Sequence, residues 1–281
     1  MALGLESRSA FYDISIVEDY FHLLVNITMN VATLPWSTLA LIALAGLYAG
    51  TQNVLAGGGS FITFPALLLA GLNPLAANMT STIALFPSQI TSAVAGRRLV
   101  EGVGPLRFRT LFLLSLAGGV LGAWLLLSTP VSVFTHLVPW LVLFATTVFF
   151  WGSFLRKSGQ QQVTSMPSGA LMAIQGVIAL YGGYFGGGIG ILMLAALTVA
   201  GQQVRTATAT KNALAMTMNA SAVAIFAFSP QINWLAALAL AVGGIGGGVL
   251  GAWLMHRLPE KWLRGFVVLV GVVLSVWLFA R

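Results

Sequence analysis

The residue with the sharpest chemistry in this chain is Lys211, in the stretch Thr206-Ala207-Thr208-Ala209-Thr210-Lys211-Asn212. It follows Arg205 by six residues, which places it about 9 Å further along a helix, deeper than a boundary charge normally sits. An ammonium at that depth either faces a cavity and marks a ligand site or snorkels back to the interface along its own stem. Thr210 and Asn212 flank it with neutral hydrogen-bonding groups. A similar hydroxyl- and amide-rich stretch occurs earlier, Ala76-Ala77-Asn78-Met79-Thr80-Ser81-Thr82, in which Thr80 corresponds to Thr210 and Ala77 to Ala207. Ahead of each lies a glycine run: Ala56-Gly57-Gly58-Gly59-Ser60, followed by Pro65, and Phe185-Gly186-Gly187-Gly188-Ile189-Gly190. A glycine run can unwind a helix and bring bare backbone to a ligand. The helix that resumes after it starts with unbonded N–H groups and a positive dipole end, which suits an anion. The alternative is that these glycines serve only close helix packing. The expected binding set for a small anion is Gly57, Gly58, Gly59, Ser60, Thr80, Gly186, Gly187, Gly188, Thr210, Lys211 and Asn212.

Other chemistries lack their residues. The acidic residues are Glu6, Asp13, Glu18, Asp19, Glu101 and Glu260, none inside an apolar segment, so a buried carboxylate proton relay is not expected. His22, His136 and His256 lie in the N-terminal segment or near segment ends and read as interfacial. Cysteine is absent, which excludes thiolate catalysis and Cys-ligated metals. No HExxH pair, P-loop or Ser-His-Asp set is visible. The chain is not expected to be an enzyme, and no cofactor or metal is expected.

The elements that must position these residues are membrane helices. The chain is 58% hydrophobic and 7% charged, with mean hydropathy +0.94, whereas a soluble domain carries about a quarter charged residues. The lipid bilayer is therefore the expected solvent. The net charge of +7 gives no nucleic-acid signal, because the basic residues are confined to a few short loops. Apolar segments fall at 35–57, 59–71, 75–97, 108–128, 133–154, 168–186, 189–201, 204–228, 233–255 and 262–280. The second of each five is short. If all ten cross, Arg97, Arg98, Arg107, Arg109, Arg156, Lys157, Arg205, Arg257, Lys261 and Arg264 share one side. If the two short segments re-enter instead, the basic residues are split and the positive-inside rule is broken. Ten crossings with both termini extracytoplasmic are expected. Trp36, Trp140, Trp234 and Trp277 then fall at outer ends and Trp151 and Trp262 at inner ends, as interfacial anchors do.

The chain also repeats itself. Gly118-Gly119-Val120-Leu121-Gly122-Ala123-Trp124-Leu125 recurs as Gly247 to Leu254, an offset of 129 residues (247 minus 118). Pro130 and Pro259, and the two glycine triplets, keep the same offset. Five segments per half is an odd number, so the halves are expected to be inverted. The expected fold class is an all-α polytopic membrane protein with two inverted five-helix repeats, and broken helices in matching positions are the usual mark of a secondary transporter. The expected organisation is 1–34, an N-terminal segment with an interfacial helix; 35–154, the first repeat; 155–167, a cytoplasmic linker; and 168–281, the second repeat. The octamer glycines are assigned to helix packing.

The stretch Ala49-Gly50-Thr51-Gln52-Asn53-Val54-Leu55-Ala56-Gly57-Gly58-Gly59-Ser60-Phe61-Ile62-Thr63-Phe64-Pro65, with Gly71 and Ala77, resembles the N-terminal signature of the TauE/SafE sulfite-exporter-like family. Gly182-Gly183-Tyr184-Phe185-Gly186-Gly187-Gly188-Ile189-Gly190, with Gly201 and the Ala-Thr-x-Thr-Lys-Asn stretch at 207–212, resembles its C-terminal counterpart. The resemblance implies a multi-pass inner-membrane transporter of small sulfur-containing anions such as sulfite or organosulfonates. Where some members carry an acidic residue this chain has Gln52, and where they carry Thr-Asn-Lys it has Thr80-Ser81-Thr82. Residues and resemblance together point to anion transport by alternating access, with export favoured. The alternatives are a passive anion channel and a non-transporting scaffold.

Overall fold

The structure, a computed structural model, describes residues 34–55, 58–155, 166–254 and 260–280. Gly57, the interfacial helix expected before Leu34 and nearly all of the 155–167 linker lie outside the described residues. Among these residues the protein is all-helical, without strands. Ten α-helices follow in order: α1 Trp36–Leu55, α2 Ser60–Leu69, α3 Pro74–Gly96, α4 Phe108–Ser128, α5 Val131–Phe150, α6 Ser168–Tyr184, α7 Ile189–Val199, α8 Val204–Phe226, α9 Trp234–Leu254 and α10 Glu260–Phe279. Each matches one apolar segment read from the sequence. The second helix of each five is short: α2 has 10 residues and α7 has 11, about 15–17 Å of helix against a hydrocarbon core of about 30 Å.

Glycine decides which helices meet. A Cβ on Gly46 or Gly50 of α1 would fall on the carbonyl oxygen of Leu240 or Gly244 in α9, and one on Gly243 or Gly247 on that of Ala43 or Leu47. The partner numbers rise together, so α1 and α9 run parallel, backbone against backbone, as small residues permit where no water drives association. Thr51 strengthens the seam by donating to the Gly247 carbonyl at 2.9 Å. The pair α4 and α6 repeats this arrangement: Gly118 abuts Ala179, Gly122 the Leu180 carbonyl and Gly183 the Gly119 carbonyl. Of the octamer glycines, Gly118, Gly119, Gly122 and Gly247 thus meet neighbouring helices, whereas a Cβ on Gly248 would meet nothing.

The long central helices α3 and α8 run antiparallel. Gly96 near the end of α3 lies against Ala209 early in α8, and Gln89 meets Asn219 further along. They are the least apolar of the ten helices, because both present polar residues inward. Among the described residues three helical stretches are long and apolar enough to cross a membrane by length and composition alone: Phe108–Ser128, Val131–Leu155 and Trp234–Gly251. Their outer faces expose large apolar side chains such as Leu113, Leu121 and Trp124 on α4 and Leu238, Val242, Ile245 and Val249 on α9. Continuous surfaces of this kind belong against lipid. Trp36, Trp140, Trp151 and Trp262 are exposed, whereas Trp234 and Trp277 pack partly against the core.

Gly247→Ala should lower the unfolding midpoint of detergent-solubilised protein, at a cost of about 1–3 kcal/mol, because the added carbon meets rigid backbone. Gly248→Ala, one residue on, should leave the midpoint unchanged. Equal midpoints for the two variants would contradict the backbone-contact seam.

Candidate functional site

Between the short helices and the central pair lies a cavity of about 260 Å³. Its wall includes both glycine breaks (Gly58, Gly59, Ser60 and Gly186, Gly187, Gly188) together with Lys211 and Asn212. Eight of the eleven sequence-derived residues therefore come together. Gly57 is outside the described residues, and Thr80 and Thr210 are not in the wall.

The two breaks differ in what they leave unbonded. Gly58 has φ +85°, and Gly186 and Gly188 have φ +78° and +75°, a left-handed backbone that side chains other than glycine rarely adopt. At the first break the Gly59 amide is already taken, donating to Asn53 Oδ1 at 2.8 Å. At the second, side chains satisfy the carbonyls instead. The Tyr181 hydroxyl donates to the Gly187 carbonyl at 2.8 Å, and Asn78 Nδ2 donates to the Tyr184 carbonyl at 3.0 Å. The α7 ladder begins with Ile191 and Leu192 donating to the Gly188 carbonyl, so the amides of Ile189 and Gly190 lie ahead of it, and the cap residue, a glycine, has no side chain to bond them. The positive end of α7 therefore opens on the cavity.

Lys211 points at the same place. Its Nζ is 3.7 Å from the position a Cβ on Gly190 would occupy. It is part-buried and has no hydrogen bond or ion pair among the described residues. This orientation runs along α7 towards that helix's N-terminus, away from the end near Arg205 where snorkelling would take it. An ammonium and a helix N-terminus facing one space repel each other unless an anion lies between them.

Thr80 and Thr210 perform a shared structural task elsewhere. Thr210 Oγ1 accepts from the Glu101 amide and donates to the Glu101 carbonyl, both at 3.2 Å. Thr80 Oγ1 accepts from the Asn233 amide at 3.3 Å. Each fully buried threonine thus pins a loop of the opposite half. Gln202 reinforces one pin through Nε2 to the Glu101 and Gly102 carbonyls, and Asn73 reinforces the other through Nδ2 to Gln231 Oε1 at 3.3 Å.

The sequence reading omitted several wall residues: Asn53, Asn78, Ser81, Gln89, Asn219 and Arg264. A signal for some was present. The offset of 130 that aligns Thr80 with Thr210 also aligns Ser81 with Lys211, Thr82 with Asn212 and Gln89 with Asn219. All six line the cavity, and the last pair is hydrogen-bonded, Asn219 Nδ2 donating to Gln89 Oε1 at 2.8 Å. Arg264 Nη1 donates to the Ser153 carbonyl at 3.4 Å, in a π-helical turn, Trp151–Leu155, that extends α5. Among the described residues no cluster of His, Cys, Asp or Glu could hold a metal.

Apolar helices around a cavity whose wall holds a lysine, amides and hydroxyls but no carboxylate define the class of membrane transporters for small solutes. The chain belongs to the TauE/SafE sulfite exporter family, whose model matches residues 42–278. It is 30% identical to a probable membrane transporter, ORF9, of a Sinorhizobium species over 88% of this chain and 94% of that one. It is 27% identical to a probable membrane transporter of Haemophilus influenzae, over 84% and 92% of the two chains. With the probable membrane transporter YfcA of Escherichia coli K12 it shares 26% identity, over 84% and 88%. No solved structure matches.

Thr210→Val should cost about 0.5–1.5 kcal/mol by removing the hydroxyl that accepts from the Glu101 amide and donates to its carbonyl, while leaving anion affinity unchanged. Thermal unfolding and ligand titration on the same preparation check both halves of this expectation. A loss of affinity without a loss of stability would return Thr210 to the binding set.

Proposed function

We propose that this membrane transporter moves small sulfur-containing anions, sulfite or an organosulfonate, across the cell inner membrane by alternating access, in the direction of export. The observation that carries the reading is the Lys211 ammonium, without a hydrogen-bond or ion-pair partner among the described residues, held at the N-terminus of α7. Asn212 and the backbone at Gly186–Gly188 complete the binding set. Sulfur specificity rests on the family to which the chain belongs. A negative cell interior favours anion exit by about 2.3 kcal/mol per charge per 100 mV, which supports export.

Several contacts support ten crossings and inverted halves. With both short helices crossing, α3 and α8 must be antiparallel, as Gly96–Ala209 and Gln89–Asn219 place them. With both re-entrant, they would be parallel. The loop at Asn73 bonds the loop at Gln231, and Gln202 bonds the loop at Glu101. Ten crossings put each pair on one side, whereas re-entry separates them. In this topology both termini are extracytoplasmic. The cavity reaches Ser92, Ser153 and Arg264 at the basic, inner ends of α3, α5 and α10, which suits an inward-open state. A passive channel needs no such one-sided cavity, and a scaffold gains nothing from broken helices.

Lys211→Gln should weaken sulfite or sulfonate binding at least tenfold while the protein remains folded. Lys211→Arg should recover part of it, because a planar fork replaces a compact point charge. Normal binding by Lys211→Gln would refute the site. Saturable counter-transport of labelled sulfite in vesicles is expected. Flux that neither saturates nor exchanges would establish the channel.

For topology, single cysteines at Asn73 and Pro230 should react with an impermeant reagent from the extracytoplasmic side, and cysteines at Pro105 and Gln203 from the other. Reaction of the first two from opposite sides would refute ten crossings.

A further inference from the structure

Outside the cavity, the described residues concentrate positive charge where α3 stops and α4 and α8 begin. Arg97 and Arg98 form a 3-10 turn directly after α3. Arg107 is the N-cap of α4, Arg109 lies in its first turn, and Arg205 lies in the first turn of α8. Gly96 against Ala209 brings the end of α3 to the start of α8, so the five arginines share one rim of the bundle. All five are exposed, none lines the cavity, and none has a hydrogen bond or ion pair among the described residues. Glu101 is the one acidic residue in the connecting segment 97–109, which leaves the rim a net charge of +4 (five minus one).

The rim is held in place by its own backbone. Glu101 is fixed to Thr210 and Gln202, and Val103 and Leu106 exchange backbone hydrogen bonds at 3.0 Å while burying their side chains. A ligand here therefore need not order the loop. Arg109 and Arg205 also stand at the positive ends of their helices, where a cation is disfavoured. An anion over the rim relieves that repulsion together with the repulsion among the guanidinium groups. Beside the rim, Val94 of α3, Phe112 and Leu113 of α4 and Val204 of α8 expose apolar side chains. A soluble anion would use only the arginines, whereas an anionic lipid would use both surfaces.

We infer that this rim binds the head group of an anionic phospholipid of the phosphatidylglycerol type, its phosphodiester held by the arginines and its chains lying on α3 and α4. Guanidinium suits the role, because its planar fork pairs two phosphate oxygens at once. The site is separate from the cavity and does not depend on what the cavity carries. In the topology proposed above it faces the inner leaflet. Through Thr210 and Gln202 an occupied rim also braces the start of α8, the helix that carries Lys211.

The experiment titrates delipidated full chain in detergent with short-chain phosphatidylglycerol or phosphatidylcholine, each bound lipid being counted by native mass spectrometry. The first phosphatidylglycerol should bind at least about tenfold tighter than the first phosphatidylcholine. Arg97→Gln with Arg98→Gln, and Arg109→Gln with Arg205→Gln, should each weaken it about 25-fold, or about fivefold per arginine, the factor equivalent to about 1 kcal/mol. Removing two charges from another loop, Arg156→Gln with Lys157→Gln, should change it less than about twofold. Melting curves confirm the fold of each variant. If a rim variant fails to fold, the comparison of the two lipids with soluble glycerophosphoglycerol still decides. Equal binding of the two lipids, or equal loss in all three double variants, would overturn the inference and leave only diffuse attraction to a basic surface. Displacement of the lipid by glycerophosphoglycerol at the lipid's own affinity would overturn it too, by reducing the rim to a site for soluble phosphate esters.

Discussion

A helix that stops inside an apolar bundle leaves backbone donors and acceptors that water cannot reach. The interior of this protein is arranged around that constraint. At the first break Asn53 takes the Gly59 amide. At the second, Tyr181 and Asn78 serve the carbonyls from within and from the opposite half, while the amides that open α7 are left towards the cavity. The two glycine runs thus differ in how their first amides are bonded, Gly59 to a side chain and Ile189 and Gly190 ahead of the α7 ladder. Lys211 faces the same space, where the ammonium and the amides repel each other unless the proposed anion lies between them.

Much of the scaffold was legible in the sequence because its causes are local or periodic. Apolar length gave ten segments, and each became a helix within a few residues of its expected limits. The glycine runs and the brevity of the following segments located α2 and α7. The octamer glycines were assigned to packing, and Gly118, Gly122 and Gly247 do lie where a side chain would strike backbone. Less legible was anything that depends on which loop reaches which helix. Thr80 and Thr210 correspond correctly, yet nothing in their neighbours' identities reveals that the Asn233 and Glu101 loops fold back onto them. Asn53 stood in the signature stretch, but its role depends on the chain turning at Gly58 so that the Gly59 amide returns to it. The Gln89–Asn219 contact required extending an alignment beyond the residues that first suggested it.

The packing obeys the same correspondence as the sequence. The first helix of one half lies parallel to the fourth of the other, once as α1 with α9 and once as α6 with α4. The third helices cross antiparallel, with corresponding residues in contact. The loops are pinned twice by a threonine in the same position. Residue spacing and contact pattern run in step at each of these places.

Within that matched frame the charge is one-sided: Ser81 stands where its counterpart is Lys211. Two separate copies of a single half, assembled as a homodimer, would carry either two ammonium groups in one small cavity or none. Joining the halves in one polypeptide frees the two positions to diverge, so that one carries an ammonium and the other a hydroxyl. The covalent linkage between the halves is in this sense part of the chemistry of the proposed site, and two identical subunits of this design could not reproduce it.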